Sequence, residues 1–253
     1  MSDIIRQRRA EGRAILNGWL SIPSGISAEI MARAGWDTIT IDLQHGMIDL
    51  PDAIQMLQAI GNTSALPLAR PEWNEPGQIM KLLDAGAMGI ICPMVNSAEE
   101  ARRLVAACRY APLGERSFGP LRASLIHGAD YWKTANEKIL VLAMIETRRA
   151  LDALDEILAV EGLDGVYVGP ADFGLSLFGN PDSEPEDERA IAAIASVRQK
   201  AQAAGRIAAV HNLSAEHARR MAGQKWDFVT AGSDTRILSQ GAASYIQRFN
   251  DAG

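Results

Sequence analysis

Amphipathic helical segments that end in glycine are each followed, within a few residues, by a short apolar segment and then by polar residues. A glycine often ends a helix because it adopts the left-handed backbone conformation without strain, and a short apolar run is typical of a buried strand. The helix-ending glycines are Gly35, Gly86, Gly162, Gly205 and Gly223. The pattern predicts that β-strands and α-helices alternate along the chain.

The apolar segments predict eight strands, and these lack the in-out alternation of a half-exposed sheet. Continuous apolar runs are typical of parallel strands that are covered on both faces. The predicted strands are residues 15–21, 37–43, 65–70, 88–94, 139–146, 164–169, 206–211 and 226–232. The helical patterns lie near residues 26–34, 51–60, 75–84, 97–108, 148–160, 187–203, 214–222 and 234–249. Ser97 and Glu100 are predicted to form a capping box at the start of one helix.

The number of units favours a closed barrel over an open sheet. Eight βα units in 253 residues match the usual size of a (β/α)8 TIM barrel, and no glycine-rich nucleotide-binding motif supports a doubly wound sheet. The sequence therefore predicts an α/β fold, a single-domain (β/α)8 TIM barrel that spans residues 1–253. Residues 109–138 form a long connection before the fifth strand, with a short helix expected near 129–136.

Composition and charge narrow the choice of partners. With 47% hydrophobic residues the chain can bury a full core, which excludes disorder as its main state. A net charge of −6, with no basic run longer than an arginine pair, excludes the electrostatic pattern of a nucleic-acid binder. Two cysteines without metal-type spacing favour a reducing compartment, and no apolar segment resembles a signal peptide or a membrane span. We expect a cytoplasmic protein with small-molecule partners, and with neither nucleic acid nor a membrane as partner.

Polar and ionisable residues stand where the predicted strands end. They are Asp42, Gln44 and His45 after the second strand, Arg70 at the end of the third, Glu146 at the end of the fifth, Asp172 after the sixth and His211 at the end of the seventh. In a (β/α)8 barrel the carboxyl ends of all strands meet on one face, which carries the active site. A charge in a half-buried barrel mouth costs free energy unless it is paired or bound. The sequence therefore predicts a functional site on this face.

Six segments carry a resemblance to a known family. They are DLQHG (42–46), ARP (69–71), KLLDAG (81–86), CPMVNSAEEAR (92–102), MIET (144–147) and VGPADF (168–173). In this order and spacing the chain resembles the HpcH/HpaI aldolase family of class II, metal-dependent pyruvate aldolases. The resemblance implies a barrel whose last helix is exchanged between neighbours in a homohexamer, a dimer of trimers. It also implies reversible cleavage of a 4-hydroxy-2-oxo acid to an aldehyde and pyruvate, or a pyruvate-like donor such as hydroxypyruvate.

The resemblance assigns Glu146 and Asp172 as ligands of the metal. Two carboxylates from adjacent strand ends suit a hard divalent cation, and we expect Mg²⁺ or Mn²⁺, with Co²⁺ as a further candidate. A Zn²⁺ site would favour His or Cys ligands, which the motif does not position. The alternative interpretation is that Glu146 pairs with Arg148 or Arg149 and that Asp172 caps a helix.

Three further residues match the catalytic residues of the family. His45 matches the base, which takes the proton either directly or through a metal-bound water. Asp84 matches the acid that raises its basicity, since a carboxylate partner favours the imidazolium. Arg70 matches the residue that stabilises the developing enolate, a role that suits its fixed charge and planar guanidinium. For His45 and Arg70 the alternatives are an ordinary polar residue after a strand and a surface charge.

Four residues are predicted to contact the substrate. Ala171 matches a position whose backbone amide binds the substrate carboxylate near a helix start. Trp19 is expected to form a pocket wall, or alternatively to fill the barrel, and His211 stands in the mouth where an apolar residue is common. Arg122, in the segment 109–138, matches a basic residue that approaches the active site of a neighbour in the oligomer, where it would favour aldehydes that carry a carboxylate. The alternative for Arg122 is an exposed arginine in a flexible loop.

The chain departs from the family pattern at three positions. Gln44 replaces a common glutamate beside His45, Met144 replaces a glutamine that touches the substrate in many members, and His211 replaces the apolar residue. These differences leave the local network around His45 and the range of donors and aldehydes open.

Other functions remain as alternatives. A Schiff-base aldolase would need a lysine at a strand end, and none of the five lysines has that position. A malyl- or citramalyl-CoA lyase of the same superfamily would need a basic surface for the CoA phosphates, which is not found. A non-catalytic binding barrel is the third alternative.

Overall fold

The computed structural model describes residues 2–251 and shows a closed barrel of parallel strands in the order β1 to β8, with β8 paired to β1. The strands are β1 (Ile15–Leu20), β2 (Thr38–Asp42), β3 (Leu66–Arg70), β4 (Gly89–Cys92), β5 (Leu140–Ile145), β6 (Gly165–Val168), β7 (Ile207–Val210) and β8 (Phe228–Ser233). Each strand overlaps its predicted segment. The (β/α)8 TIM-barrel prediction is confirmed.

Helices surround the barrel, and most of them coincide with the predicted ones. They are α1 (Asp3–Ala10), α2 (Gly25–Ala32), α3 (Leu50–Ile60), α4 (Pro76–Asp84), α5 (Ala98–Cys108), α6 (Leu121–His127), α7 (Tyr131–Lys138), α8 (Arg148–Asp152), α9 (Leu154–Leu158), α10 (Pro170–Phe178), α11 (Glu188–Ala203), α12 (Ala215–Gly223) and α13 (Asp234–Asp251). The helix predicted at 148–160 is two short helices, and α1, α6 and α10 are additional. Within residues 2–251, no helix combines the length and the apolar character needed to cross a bilayer.

Two of the predicted helix-end features differ in detail. The Ser97 side chain accepts from the Glu100 amide as predicted, but the Glu100 carboxylate accepts from the Asn96 amide, so only half of the capping box forms. Gly223 lies inside α12, and Lys225, two residues later, takes the left-handed conformation with φ 71°. A glycine in a helical pattern therefore marked the end of α12 only approximately.

Alternate residues of each strand point into the barrel, where they form an inner core separate from the layer between strands and helices. The inner core includes Ile15, Trp19, Leu68, Ile91, Leu142, Met144, Tyr167 and Phe228. Because side chains alternate along a strand, the same parity continues to the carboxyl ends. An even number of positions separates the inward-facing residues of these strands from the polar residues at their carboxyl ends. The polar residues that therefore face the barrel mouth are Asp42, Arg70, Glu146 and His211.

The segment 109–138 is anchored by one buried arginine. The Arg116 guanidinium lies over the ring of Tyr110 at 4.5 Å and near that of Tyr131 at 5.6 Å, and it donates to Asp84 Oδ1 at 2.7 Å. The segment contains α6 and α7 and follows α5, which runs back from the mouth. It therefore packs at the end of the barrel opposite the strand carboxyl ends.

Among residues 2–251, no helix fills the space over the outer face of β1 and β8, where Leu16 stays exposed. Between α2 and α12 lies a groove of about 650 Å³, here called the β1–β8 groove, whose lining includes Leu16, Trp36, Ala218, Ala222, Val229 and Ala231. The α13 helix, which follows β8, leaves its large apolar side chains exposed. These are Ile237, Leu238, Tyr245, Ile246 and Phe249.

Candidate active site

An arginine and an aspartate form a paired unit at the ends of β2 and β3. Arg70 donates through Nε to Asp42 Oδ1 and through Nη2 to Asp42 Oδ2, both at 2.7 Å. The guanidinium carbon lies 4.9 Å from the centre of the Trp19 ring, and Trp19 Nε1 donates to Asp42 Oδ2 at 3.2 Å. Because the pair engages Nε and Nη2, Nη1 of Arg70 has no hydrogen-bond partner among the described residues.

Asp42 also shapes the loop that carries His45. Burial acts to raise the pKa of Asp42, but the hydrogen bonds and charge of Arg70 outweigh it and hold that pKa below its usual value. The ionised carboxylate accepts from the amides of Gln44 at 3.0 Å and His45 at 3.3 Å. The turn is so tight that a Cβ at Gly46 would lie 2.2 Å from the Asp42 carbonyl oxygen. The loop thus presents an exposed His45 above the strand ends.

Glu146 is a buried carboxylate with one committed oxygen. Its Oε1 accepts from the Met94 amide at 2.6 Å, and Met94 takes an unusual left-handed conformation, φ 55°, to offer this N–H. Burial and, further, the charge of Asp172 raise the pKa of Glu146 to about 7. A Cβ at Gly169 would lie 2.8 Å from Glu146 Oε2, so only glycine there leaves this oxygen free.

The two carboxylates fit a divalent cation. Among the described residues, no Arg or Lys side chain lies within ion-pairing distance of Glu146, although the group is buried beside a second carboxylate. An uncompensated buried carboxylate is costly unless a cation binds it. The alternative pairing with Arg148 or Arg149 is not formed, and Arg149 instead approaches Glu100 at 3.5 Å. The donor set is therefore that of a hard-cation site open to water and substrate.

Ala171 and Asp172 lie in the first turn of α10, whose N-cap is Gly169. The first hydrogen bond of this helix runs from the Phe173 amide to the Gly169 carbonyl. The amides before it have no partner within the helix, so they are available to an anion at the mouth. Asp172 does not serve as the N-cap residue, which leaves its exposed carboxylate free beside Glu146.

Trp19 and His211 form one wall of the mouth. Their rings meet edge to face, with centroids 4.9 Å apart and an interplanar angle of 89°. Trp19 therefore lies between Arg70 and His211. The structure brings together Trp19, Arg70, His211, Glu146, Asp172, Ala171 and His45 at the strand carboxyl ends.

Asp84 is not brought to this face. It is the last residue of α4, a helix that starts near the mouth and runs back, so it lies at the opposite end of the barrel from His45. There it accepts from Arg116. The expected His45–Asp84 pair therefore does not form within one chain, because a residue at a helix end precedes the next strand instead of following one.

Arg122 also lies away from the mouth of its own chain. It donates through Nη1 to the carbonyl of Ala85, the C-cap of α4, and through Nη2 to that of Leu57 in α3 at 3.3 Å. The Ala85 carbonyl thereby gains a partner at the end of α4, and the Leu57 carbonyl, which also accepts from the Gly61 amide, gains a second one. The approach of Arg122 to the site of a neighbouring molecule stays a prediction.

Two contributors were missed at the sequence level. Asp42 was noticed as a strand-end residue without a role, although it stands directly opposite Arg70 in the parallel register of β2 and β3. Its position in the alternation of β2 places it on the inward face, and this could have predicted a role for Asp42 at the site. Nothing in the residue type of Met94 indicates that its amide would hold Glu146.

Comparisons with known proteins identify the family of this chain. A family model described as HpcH/HpaI aldolase/citrate lyase matches residues 17–240. The chain is 47% identical over 236 residues to a protein of Rhizorhabdus wittichii named hydroxypyruvate/pyruvate aldolase, covering 93% of this chain and 94% of that one. It is 40% identical over 255 residues to the 4-hydroxy-2-oxo-heptane-1,7-dioate aldolase of Klebsiella pneumoniae, covering 98% and 94%.

The fold is similar to the crystal structure of a HpcH/HpaI aldolase/citrate lyase family protein from Burkholderia cenocepacia. The TM-score is 0.91 at 26% identity, and the match covers 99% of this chain and 100% of the other. Because the family model and both relatives span most of the chain, the chain belongs to the HpcH/HpaI aldolase/citrate lyase family.

Proposed function

We propose that this protein is a divalent-metal-dependent aldolase. It reversibly cleaves a 4-hydroxy-2-oxo acid to an aldehyde and pyruvate, or a pyruvate-like donor such as hydroxypyruvate. The observation that carries the proposal is the buried Glu146, with one free oxygen beside Asp172 and close to the fixed guanidinium of Arg70. The names of the relatives from Rhizorhabdus and Klebsiella support the same class of reaction.

Glu146 and Asp172 would hold the metal, and Mg²⁺ or Mn²⁺, or else Co²⁺, matches their oxygen donors. When bound, the cation supplies positive charge that stabilises an enolate of the oxo acid. The backbone amide of Ala171, at the start of α10, binds the substrate carboxylate. Trp19 and His211 close the side of the pocket next to Arg70.

Arg70 stabilises charge on the substrate oxygen. Cleavage of the C3–C4 bond leaves an enolate whose negative charge develops on the C2 oxygen. Asp42 holds the guanidinium in place before the reaction, so Nη1 need not reorganise as the charge forms.

His45 moves the protons. In the cleavage direction it removes the proton of the C4 hydroxyl, the C3–C4 bond breaks, and the enolate is then protonated at C3 to give pyruvate. Since Asp84 lies at the opposite end of its own barrel, its predicted role requires His45 to meet Asp84 of an adjacent copy.

We also propose a homohexamer, a dimer of trimers, in which α13 is exchanged between copies. The β1–β8 groove and the apolar face of α13 support this, because a (β/α)8 barrel normally covers that groove with the helix that follows β8. The whole chain, residues 1–253, would then act as one domain in the cytoplasm.

Chelation tests the activity. We expect that removal of divalent ions abolishes release of pyruvate from a 4-hydroxy-2-oxo acid, and that Mg²⁺, Mn²⁺ or Co²⁺ restores it. Glu146→Ala and Asp172→Ala should stay inactive after the metal is returned, while the exposed Glu156→Ala on α9 serves as the matched control. Trapping of pyruvate on a lysine by borohydride would overturn the proposal.

A further inference from the structure

A layer of polar side chains crosses the barrel just beneath the mouth. Asn17 on β1 is fully buried, and its Oδ1 accepts from the hydroxyls of Thr38 at 2.8 Å and Thr40 at 3.0 Å. Its Nδ2 therefore faces the other way and donates to Thr230 Oγ1 on β8 at 2.9 Å. The orientation of the Asn17 amide is fixed by these three contacts.

From Asn17 the hydrogen bonds continue in one direction. Thr230 Oγ1 lies 2.7 Å from the hydroxyl oxygen of the buried Tyr167, and that oxygen lies 2.9 Å from His211 Nδ1. Thr230 already accepts from Asn17, so its own proton needs an acceptor, and Tyr167 is the acceptor that the described residues offer. The Tyr167 proton is then donated to His211 Nδ1. This is the arrangement that leaves no buried donor unsatisfied.

The chain of donors fixes the tautomer of His211. A ring whose Nδ1 accepts a hydrogen bond carries its proton on Nε2. Burial, followed by the charge of Arg70, lowers the pKa of His211 to about 4, so the ring is neutral. Trp19 packs edge to face against the ring and limits its rotation. Among residues 2–251 no hydrogen-bond partner meets Nε2, and the ring is only partly buried.

We propose that His211 is a specificity-determining residue that donates its Nε2–H to a hydroxyl oxygen of the substrate. The enzyme would therefore prefer substrates with a hydroxyl group next to the reacting carbonyl. This inference rests on the proposed aldolase function. That hydroxyl belongs either to C3 of the oxo-acid donor or to C2 of the aldehyde, and both sources present the same acceptor to Nε2.

A two-by-two set of substrates separates these sources. Pyruvate and hydroxypyruvate are compared as donors, and acetaldehyde and glycolaldehyde as aldehydes, with the wild type and His211→Phe. We expect the loss in kcat/KM caused by His211→Phe to be about 10- to 100-fold larger for the hydroxylated member of one pair than for its deoxy member, because one buried hydrogen bond is lost. The pair that shows the loss identifies the source. Equal changes for hydroxylated and deoxy members would overturn the inference.

Two further variants test the fixed tautomer. His211→Gln keeps an N–H donor and should retain part of the preference, whereas Tyr167→Phe removes the donor to Nδ1 and should weaken it. ¹⁵N NMR of the ring, assigned by the signal missing in His211→Phe, should show the proton on Nε2 in the wild type and a mixture of tautomers in Tyr167→Phe. A wild-type proton on Nδ1 would contradict the inference, and thermal unfolding checks that each variant is folded.

The same measurements separate the aldolase activity from the role of His211. If no pair of substrates gives metal-dependent aldol activity, the proposed function is wrong, and the inference falls with it. If the activity is present without a His211-dependent preference for the hydroxylated substrate, only the inference is wrong.

Discussion

Arg70–Asp42 and Arg116–Asp84 hold opposite ends of the barrel with the same 2.7 Å contacts, but they bury different partners. At the mouth the aspartate side chain is 3% exposed and the arginine 11%, whereas at the other end the arginine is fully buried and the aspartate is 26% exposed. Both guanidinium groups lie against aromatic rings. The first pair thus presents a cation to the site, and the second presents a carboxylate to the surface.

The pKa values of the two carboxyl groups follow this difference. Asp42 has a lowered pKa because two hydrogen bonds and the charge of Arg70 outweigh its burial. Asp84 has a raised pKa because burial outweighs its single hydrogen bond and the charge of Arg116. The more exposed member of each ion pair is the one that can bind other groups. The number of hydrogen bonds that the carboxylate accepts decides whether its pKa is lowered or raised.

The largest effects on stability should come from variants that remove one partner of an ion pair and leave the other charge buried without a partner. Arg70→Leu strands Asp42 and Asp84→Leu strands Arg116, so we expect each to lower the free energy of unfolding by about 3–5 kcal/mol. Arg116→Leu should cost less, since water can solvate the partly exposed Asp84 that remains. Urea unfolding followed by circular dichroism measures all three. A loss for Arg116→Leu as large as that for Asp84→Leu would show that burial does not distinguish the partners.

The next largest effect is expected when the orientation of the Arg70 side chain at the mouth is lost. Arg70→Lys keeps the charge but loses the two-point contact with Asp42, and its single ammonium group has no second nitrogen to offer to the substrate oxygen while it stays paired. We expect kcat for aldol cleavage to fall about 10²-fold with a smaller change in KM. Steady-state kinetics tests this, with Arg102→Lys on the exposed face of α5 as the control. Unchanged kcat would remove Arg70 from the mechanism.

The affinity for metal should depend on pH through Glu146. Its pKa of about 7 means that a proton competes with the cation at lower pH, so the apparent Kd for Mg²⁺ should weaken up to about tenfold per pH unit below 7. In the metal-free protein the pKa of Glu146 is higher than in the unfolded chain, so stability falls as the pH rises from the unfolded pKa toward 7. Added metal should therefore stabilise the protein more at about pH 8 than at about pH 6. Calorimetric titration at the two pH values measures this, and equal affinities would contradict it.

The smallest effect concerns Asp84 in an assembled protein. If Asp84 of one copy meets His45 of another, Asp84→Asn removes a negative charge that favours the imidazolium, so the acid limb of the pH–rate profile moves to lower pH. We expect a shift of about one unit or less. Asp152→Asn, a variant of an exposed carboxylate on α8, is the control. An unchanged limb with full activity would exclude Asp84 from proton transfer.

The fold followed from the sequence because each strand is a buried apolar run whose position depends on local residues. The strand-end residues followed for the same reason, since inward parity carries Arg70, Glu146 and His211 to the mouth. The position of Asp84 could not be predicted in this way, because a family motif gives a residue its role without saying which molecule of an assembly supplies it. Its place at the end of α4, just before Gly86, already indicated the far end of the barrel.

Other features depended on contacts that no local pattern reveals. The buried position of Arg116 between two tyrosines needs the folded path of residues 109–138. The resemblance implied a helix start near Ala171, but the helical pattern of α10 was missed because its sequence, PADFGLSLF, begins at proline and contains an internal glycine, both of which favour a turn when considered alone. The hydrogen bonds from Asn17 to His211 join strands that are far apart in the chain.

The β1–β8 groove makes the stability of this protein depend on its concentration. Under the proposed exchange of α13, the apolar lining of the β1–β8 groove leaves water only when a second molecule supplies the covering helix. By mass action, part of the free energy that holds the barrel together then disappears on dilution. Such a protein would unfold at lower temperature in a dilute assay than in a concentrated stock, with no change in its sequence or its buffer.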